Sequence, residues 1–171
     1  MPRIGDFRRF SFRSDRIDRC GRHVGRHVYW KLYSIENTLR VVINSVLSQQ
    51  LGANWWSLAV DPSVARTANR FRASYLARPQ NASPGAHDLY LIFLSDLTEI
   101  LRSNSHQFEP VIVDVNNWIA RLEAIRVPRN LVGHMNFPNA FDRAAIETAY
   151  AQLPTLIGQL KSQGVPILVP A

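Results

Sequence analysis

From Val28 onward the hydrophobic positions recur at spacings of three and four, the period of an amphipathic helix. Leu32, Ile35, Leu39, Val42, Ile43, Val46 and Leu47 form one stripe, and Gly52 supplies a natural stop. Asp61-Pro62 pairs a capping carboxylate with a first-turn proline, which predicts a second helix to about Ala77. Residues 78–86, RPQNASPGA, read as a loop. A strongly apolar third helix is expected over Leu89 to Leu101, broken by Ser103 to Pro110. The fourth runs from about Val111 and buries Val111, Val115, Trp118, Ile119, Leu122 and Ile125. The fifth starts near Asn139 or Ala140, carries Phe141, Ala145, Ala149, Leu153, Leu156, Ile157 and Leu160, and should kink at Pro154.

No segment alternates with period two between hairpin-type turns, so a sheet is not expected to organise the core. Helices of this length on short connections pack most simply as antiparallel neighbours. The predicted fold is all-α, an up-and-down bundle of four to five helices spanning residues 28–171. The apolar tail VPILVPA is read either as an extended strap or as a strand in a dimer.

Charge changes the picture at one end. Residues 1–28 hold eight arginines (Arg3, Arg8, Arg9, Arg13, Arg16, Arg19, Arg22, Arg26) against Asp6, Asp15 and Asp18, which accounts for most of the chain's formal +7. With Phe7, Phe10 and Phe12 interleaved, residues 1–27 form a basic arm suited to a phosphate backbone and to stacking on bases. The bland alternative is a solvated extension that reflects a general preference for Arg over Lys, 18 to 2 in this chain. The N-terminus lacks the apolar run and cleavage site of a secretory signal, and no stretch approaches the roughly 18 apolar residues of a membrane span. The single Cys20 cannot form an internal disulfide, and no Cys/His spacing resembles a zinc site. A cytoplasmic protein with no membrane partner, metal or cofactor is the expectation.

Residues 129–134, Arg-Asn-Leu-Val-Gly-His, place a guanidinium and an imidazole five positions apart. Arg offers fixed donors to phosphate oxygens, and His moves a proton near neutral pH, so the pair suits phosphate-ester chemistry. The spacing alone is cheap, since this composition yields about half a match by chance and Arg22/His27 is a second occurrence. Context separates Arg129/His134: an amphipathic helix precedes it, Asn130 follows the arginine, and Gly133-His134 leads into a turn. On one uninterrupted helix, residues five apart point about 140° from each other, so a kink or helix end must re-aim the histidine. Pro128, which disfavours helical geometry at Val127, makes a kink just before Arg129 the expectation.

With these residues the chain resembles the HEPN superfamily, helical bundles whose ribonuclease members carry Arg, a polar residue, and His four to six positions on. Arg129, Asn130 and His134 match that pattern. WIARLEAIRVPRNLVGH, DLYLIFLSDLTEIL, and Glu36-Asn37-Thr38-Leu39-Arg40 followed by Trp55-Trp56 are similar to one branch. That branch includes domains attached to a nuclear transcript-surveillance endoribonuclease and prokaryotic relatives linked to defence. The likeness spans roughly residues 28–162. Where toxin members paired with an antitoxin often have a tyrosine two residues after the histidine, this chain has Asn136, so modification there is not expected.

The resemblance implies a homodimer in which two motifs face one cleft, RNA as substrate, and a toxin-antitoxin or defence setting with a protein antitoxin or regulatory partner. The expected reaction is metal-independent cleavage to 2′,3′-cyclic phosphate and 5′-hydroxyl ends, with single-stranded RNA favoured because loops expose the 2′-hydroxyl in reactive geometries. His134 would move the proton, Arg129 would stabilise phosphate charge, and Asn130 would orient the substrate or the histidine. Glu36 either pairs with Arg40 at helical i, i+4 spacing, the simpler reading, or reaches the cleft to hold Arg129 or His134. Arg126 either reaches RNA or closes its helix with a favourable charge. His23, His87 and His106 should face solvent, and the four tryptophans should anchor core or interface. The competing expectations are a catalytically inactive HEPN module that binds RNA or protein, and a purely structural or antitoxin-like bundle.

Overall fold

The first stripe of apolar residues is the axis of the molecule. Ile35, Leu39, Val42, Ile43, Val46 and Leu47 are all at most 3% exposed, and they lie on α2 (Trp30–Leu51), the longest helix among the described residues. The computed structural model describes residues 5–82 and 84–171, so Arg3 of the basic segment and Ser83 of the 78–86 loop lie outside the described residues. Among the described residues there is no strand, and the fold is all-α. No helix among them is long and apolar enough to cross a membrane.

The helical start expected near Val28 lies instead at Ser14. Helix α1 (Ser14–Val24) passes through a π-helical turn, Gly25–Tyr29, into α2 with right-handed helical backbone at each junction. In the widened turn the Trp30 indole N–H donates to the Arg26 carbonyl at 2.8 Å. Ile17, Cys20, Val24 and Val28 recur at the same three- and four-residue spacing as the α2 stripe, but the arginines between them obscure it. Cys20 is buried, its Sγ 3.2 Å from the Gly5 carbonyl.

Gly52, at φ 80°, ends α2 as expected. After the short α3 (Trp55–Ala59), helix α4 (Pro62–Leu76) starts at Asp61, whose carboxylate accepts the Ser63 N–H at 2.7 Å. The apolar run expected as one helix from Leu89 is divided into a 3-10 turn, Asp88–Leu91, and α5 (Leu94–Ser103). Two side chains fix the division. Asp96 takes the Phe93 N–H at 2.9 Å, and Arg40, on α2, donates to the carbonyls of Leu89 and Ile92 at 2.9 and 3.2 Å.

Beyond α6 (Ser105–Phe108), Val111 and Ile112 are buried in a turn, and α7 (Val115–Gly133) starts later than the periodicity predicts. Asp114, left-handed at φ 57°, caps it through the Asn117 N–H. The kink expected just before Arg129 does not end the helix: Val127 is helical and α7 continues through Pro128. The proline is buried, and Ala124, whose carbonyl loses its helical donor, is exposed, so packing holds the helix while water can serve the freed oxygen. At Pro154 the expected kink is a full break, with α8 (Ala140–Ala151) ending before α9 (Leu153–Ser162) and the proline in the first turn of the new helix.

Helices α5, α8 and α9 pack on α2, and α7 packs on α5 and α8. Lys31 on α2 pairs with Glu147 on α8, and the Trp30 and Tyr150 rings meet edge to face at 4.8 Å. Of the two readings of the tail, this chain adopts the strap. The Leu168 N–H donates to Ser45 Oγ at 2.8 Å, and its carbonyl accepts from Asn44 Nδ2 at 3.0 Å. Asn44 Oδ1 also accepts the indole N–H of Trp55, which is 1% exposed.

Asn44→Ala leaves that indole and the Leu168 carbonyl without their partner, and is expected to lower stability by about 1–3 kcal/mol. Urea denaturation checks this: the midpoint should fall with an unchanged slope, and an unmoved midpoint refutes the linkage.

Candidate functional site

Two guanidiniums share one carboxylate where α2 meets α7. Glu36 Oε1 accepts from Arg40 Nη2 at 2.6 Å, and Glu36 Oε2 accepts from Arg129 Nε at 3.2 Å. The two readings of Glu36, local partner and cleft partner, are therefore occupied together, one oxygen each. Arg40 is largely committed elsewhere, since it also donates to Asn37 Oδ1 at 3.2 Å and to the Leu89 and Ile92 carbonyls ahead of α5. Arg129 is freer. Its side chain is 25% exposed, its guanidinium lies 5.6 Å above the Phe93 ring, and its Nη1 would sit 3.8 Å from a Cβ on Gly133. Two cations against one anion leave this half-buried cluster with a net charge of +1, a setting that favours an anionic ligand.

The motif's histidine stands where α7 stops. His134 is the C-cap residue, with φ −88° and ψ 22°. The chain closes the helix with a Schellman pattern: the Met135 N–H donates to the Val132 carbonyl at 2.9 Å and the Asn136 N–H to the Leu131 carbonyl at 3.0 Å. The left-handed position, at φ 59°, is Met135 and not Gly133. Asn136 Nδ2 holds the His134 carbonyl at 3.0 Å, and Asn136 Oδ1 takes a 3.3 Å hydrogen bond from Arg8. Arg8 is itself gripped by Asp6, and its guanidinium holds the Asp6 carboxyl below the usual carboxylate range. The basic N-terminal segment thus reaches the turn that carries His134.

The fold brings Arg129 to Glu36 but does not bring the His134 imidazole onto Arg129. His134 and Asn130 are exposed, and neither side chain has a hydrogen bond, ion pair or ring contact among the described residues, although the Asn130 carbonyl accepts the His134 N–H at 2.9 Å. Arg126 points elsewhere: it pairs with Glu123, which also binds Arg102 of α5. Among the described residues no group of three or more His, Cys, Asp or Glu side chains stands where it could hold a metal ion.

Two grooves flank the motif. One, of about 470 Å³, runs beside the Arg129–Glu36–Arg40 cluster and is walled by Tyr29, Tyr33 and Tyr90. Tyr29 and Tyr33 belong to no motif. Their one signal in the sequence is that Tyr29, Tyr33 and Asn37 follow one another at four-residue steps along a flank of the α2 stripe. The other groove, about 360 Å³ and mostly apolar, lies between α1 and the turn after α7, with Ile17, Cys20, Val24, Met135 and Phe137 among its walls.

Two of the histidines expected to face solvent do not. His87 is half-buried, stacked on Trp55 at 5.4 Å and edge-on to Trp56 at 5.6 Å, and its Nδ1 accepts the Leu89 N–H. Burial lowers its pKa, with Asp88 opposing that shift. His23 stacks on Phe137 at 5.8 Å, and burial, then His27 and Arg143, lowers its pKa. The sequence suggested exposure because both lie outside the main apolar stripes. Of the four tryptophans expected to anchor core or interface, Trp55 and Trp118 are core residues and Trp56 packs against the core, whereas Trp30 is exposed and meets only the Tyr150 ring among the described aromatic residues. Comparison with protein-family models, with curated proteins and with solved structures finds no match to this chain.

Glu36→Ala removes the anion from between two guanidiniums, and is expected to cost about 3 kcal/mol in chemical denaturation, as for a broken ion pair of low exposure. A loss below about 0.5 kcal/mol would mean that the shared carboxylate adds no more than a surface pair. Met135→Gly should act in the opposite direction. Relief of left-handed strain, about 1–2 kcal/mol, exceeds the extra chain entropy of glycine, about 0.5–1 kcal/mol, and a side chain 89% exposed has no packing to lose. A small rise in melting temperature is the expected readout, and a fall refutes the assignment of strain to that residue.

Proposed function

We propose that the chain is a HEPN-type endoribonuclease that cleaves single-stranded RNA without a metal. The observation that carries the reading is the arginine of the motif held at the rim of a cationic, tyrosine-walled groove by Glu36, with the histidine of the same motif at the adjoining helix end. The +1 cluster attracts the scissile phosphate. Arg129, gripped through Nε, keeps its terminal nitrogens for the non-bridging oxygens as negative charge builds on the pentacoordinate phosphorus. His134, exposed and unpartnered, takes the proton from the ribose 2′-hydroxyl as O2′ attacks phosphorus, or delivers a proton to the departing O5′. The P–O5′ bond breaks, leaving a 2′,3′-cyclic phosphate and a 5′-hydroxyl. Asn130, exposed one position after Arg129, is placed to orient substrate or histidine.

The separation of the two side chains within one chain is the reason to assign the working site to a homodimer. In a two-fold pair, the His134 corner of one copy can face the Arg129 groove of the other, because an isologous interface presents each motif to its equivalent. A catalytically inactive RNA-binding module is the second reading. It is favoured by the same observation taken within one chain: Arg129 is engaged by Glu36, and among the described residues nothing orients the imidazole.

A labelled single-stranded RNA incubated with excess chelator separates the two. The expected result is cleavage to cyclic-phosphate ends that survives the chelator and falls by about 100-fold or more in His134→Ala and in Arg129→Ala. Loss of cleavage on metal removal, or full activity in His134→Ala, overturns the mechanism. Binding without cleavage by the wild-type chain supports the inactive module.

A further inference from the structure

The groove beside Arg129 has a chemical character that the motif does not account for. Tyr29 and Tyr33 lie one turn apart on the same face, so both rings border the same groove. They are 56% and 62% exposed, and among the described residues neither ring makes an aromatic or cation–π contact. Tyr90, on the far wall, is in a different state. Arg40 lies 5.8 Å from its ring centroid, and Gly85 approaches the ring so closely that an added Cβ would fall 2.4 Å from Cδ2. Tyr90 is therefore fixed in the wall, while Tyr29 and Tyr33 keep their faces open. Met135, 89% exposed, stands at the rim.

An open aromatic face costs little where it is isolated, but two that border one groove beside a net cationic cluster form a combination with few ligands. A simple anion has no use for the rings, and an apolar molecule has none for the guanidinium. A nucleotide uses both, because its phosphate is drawn to the cation and its base has a π-face for a tyrosine. A volume of about 470 Å³ is that of a small-molecule site, room for one nucleotide and not for a duplex.

We propose that Tyr29 and Tyr33 form a base-stacking subsite of the groove, which seats one unpaired base of a single-stranded nucleic acid whose neighbouring phosphate lies on Arg129. The subsite takes any base, since stacking needs only a π-face. It rests on the ribonuclease reading for the identity of the natural strand, and it sets where along that strand the phosphate is presented. The ring, and not the phenol hydroxyl, is the working part.

Binding of the full chain to a fluorescent 2′-O-methyl oligonucleotide, which cannot be cleaved by attack of O2′, tests the subsite apart from the chemistry. Tyr29→Ala and Tyr33→Ala should each raise Kd by about fivefold or more, and Tyr33→Phe should stay within about twofold of wild type. An oligomer of abasic units should bind wild type more weakly, and Tyr33→Ala should not weaken it further. The last comparison needs the wild-type chain for its first arm, so a misfolded variant, detected by circular dichroism, does not remove the test. Equal binding of normal and abasic oligomers, wild-type affinity in both alanine variants, or no binding at all overturns the subsite. Tyrosine-dependent binding without cleavage of ordinary RNA leaves the subsite standing and removes the ribonuclease reading. Cleavage with tyrosine-indifferent binding does the reverse.

Discussion

A single carboxylate determines how three parts of this molecule meet. Glu36 sits on the central helix, and through its two oxygens it holds an arginine of its own helix and an arginine of α7. Arg40 in turn fixes the carbonyls that end the 3-10 turn before α5. Remove the anion and Arg40, 8% exposed, would keep its charge at a site with little access to water. The arrangement explains why so polar a cluster can sit against an apolar core: each charge is matched or hydrogen-bonded, and the one surplus charge lies on the arginine nearest the surface. The carboxylate that positions Arg129 also offsets part of its charge.

Much of the fold was legible because its signals are local. The stripe from Leu32 to Leu47, the stop at Gly52 and the cap at Asp61 each depend on residues within a turn or two of one another. The departures came where a distant partner decides. The split of the apolar run at Leu89 is set by an arginine about fifty residues earlier, and the helix survives Pro128 because the ring is buried. The N-terminal helix was obscured for a different reason. Its apolar positions are few, and arginines between them made the segment look like an arm.

The candidate site divides along the same line. Residue types in the 129–134 segment suit phosphate chemistry, and the pairing of Glu36 with Arg40 was visible from helical spacing. What one chain cannot encode locally is convergence: that Glu36 would serve both arginines, or that Tyr29 and Tyr33 would border the groove beside Arg129, depends on how α2 packs near α7. The two Schellman endings make a similar point. At Gly164 the left-handed position is filled by the residue that adopts it most easily, and at the end of α7 it is filled by an exposed methionine. The strained ending is the one beside the histidine.

The π-helical turn at Gly25–Tyr29 joins two helices that otherwise run as one. Because each helical residue advances the side chains by about 100°, the turn acts as a phase shifter between its two ends. The rotational register of α1 relative to the tyrosines and the core stripe of α2 therefore follows the number of residues in that turn. Insertion or loss of one residue there would leave every side chain of α1 intact and still rotate it by about 100°, turning Cys20 and Val24 away from the core they pack on.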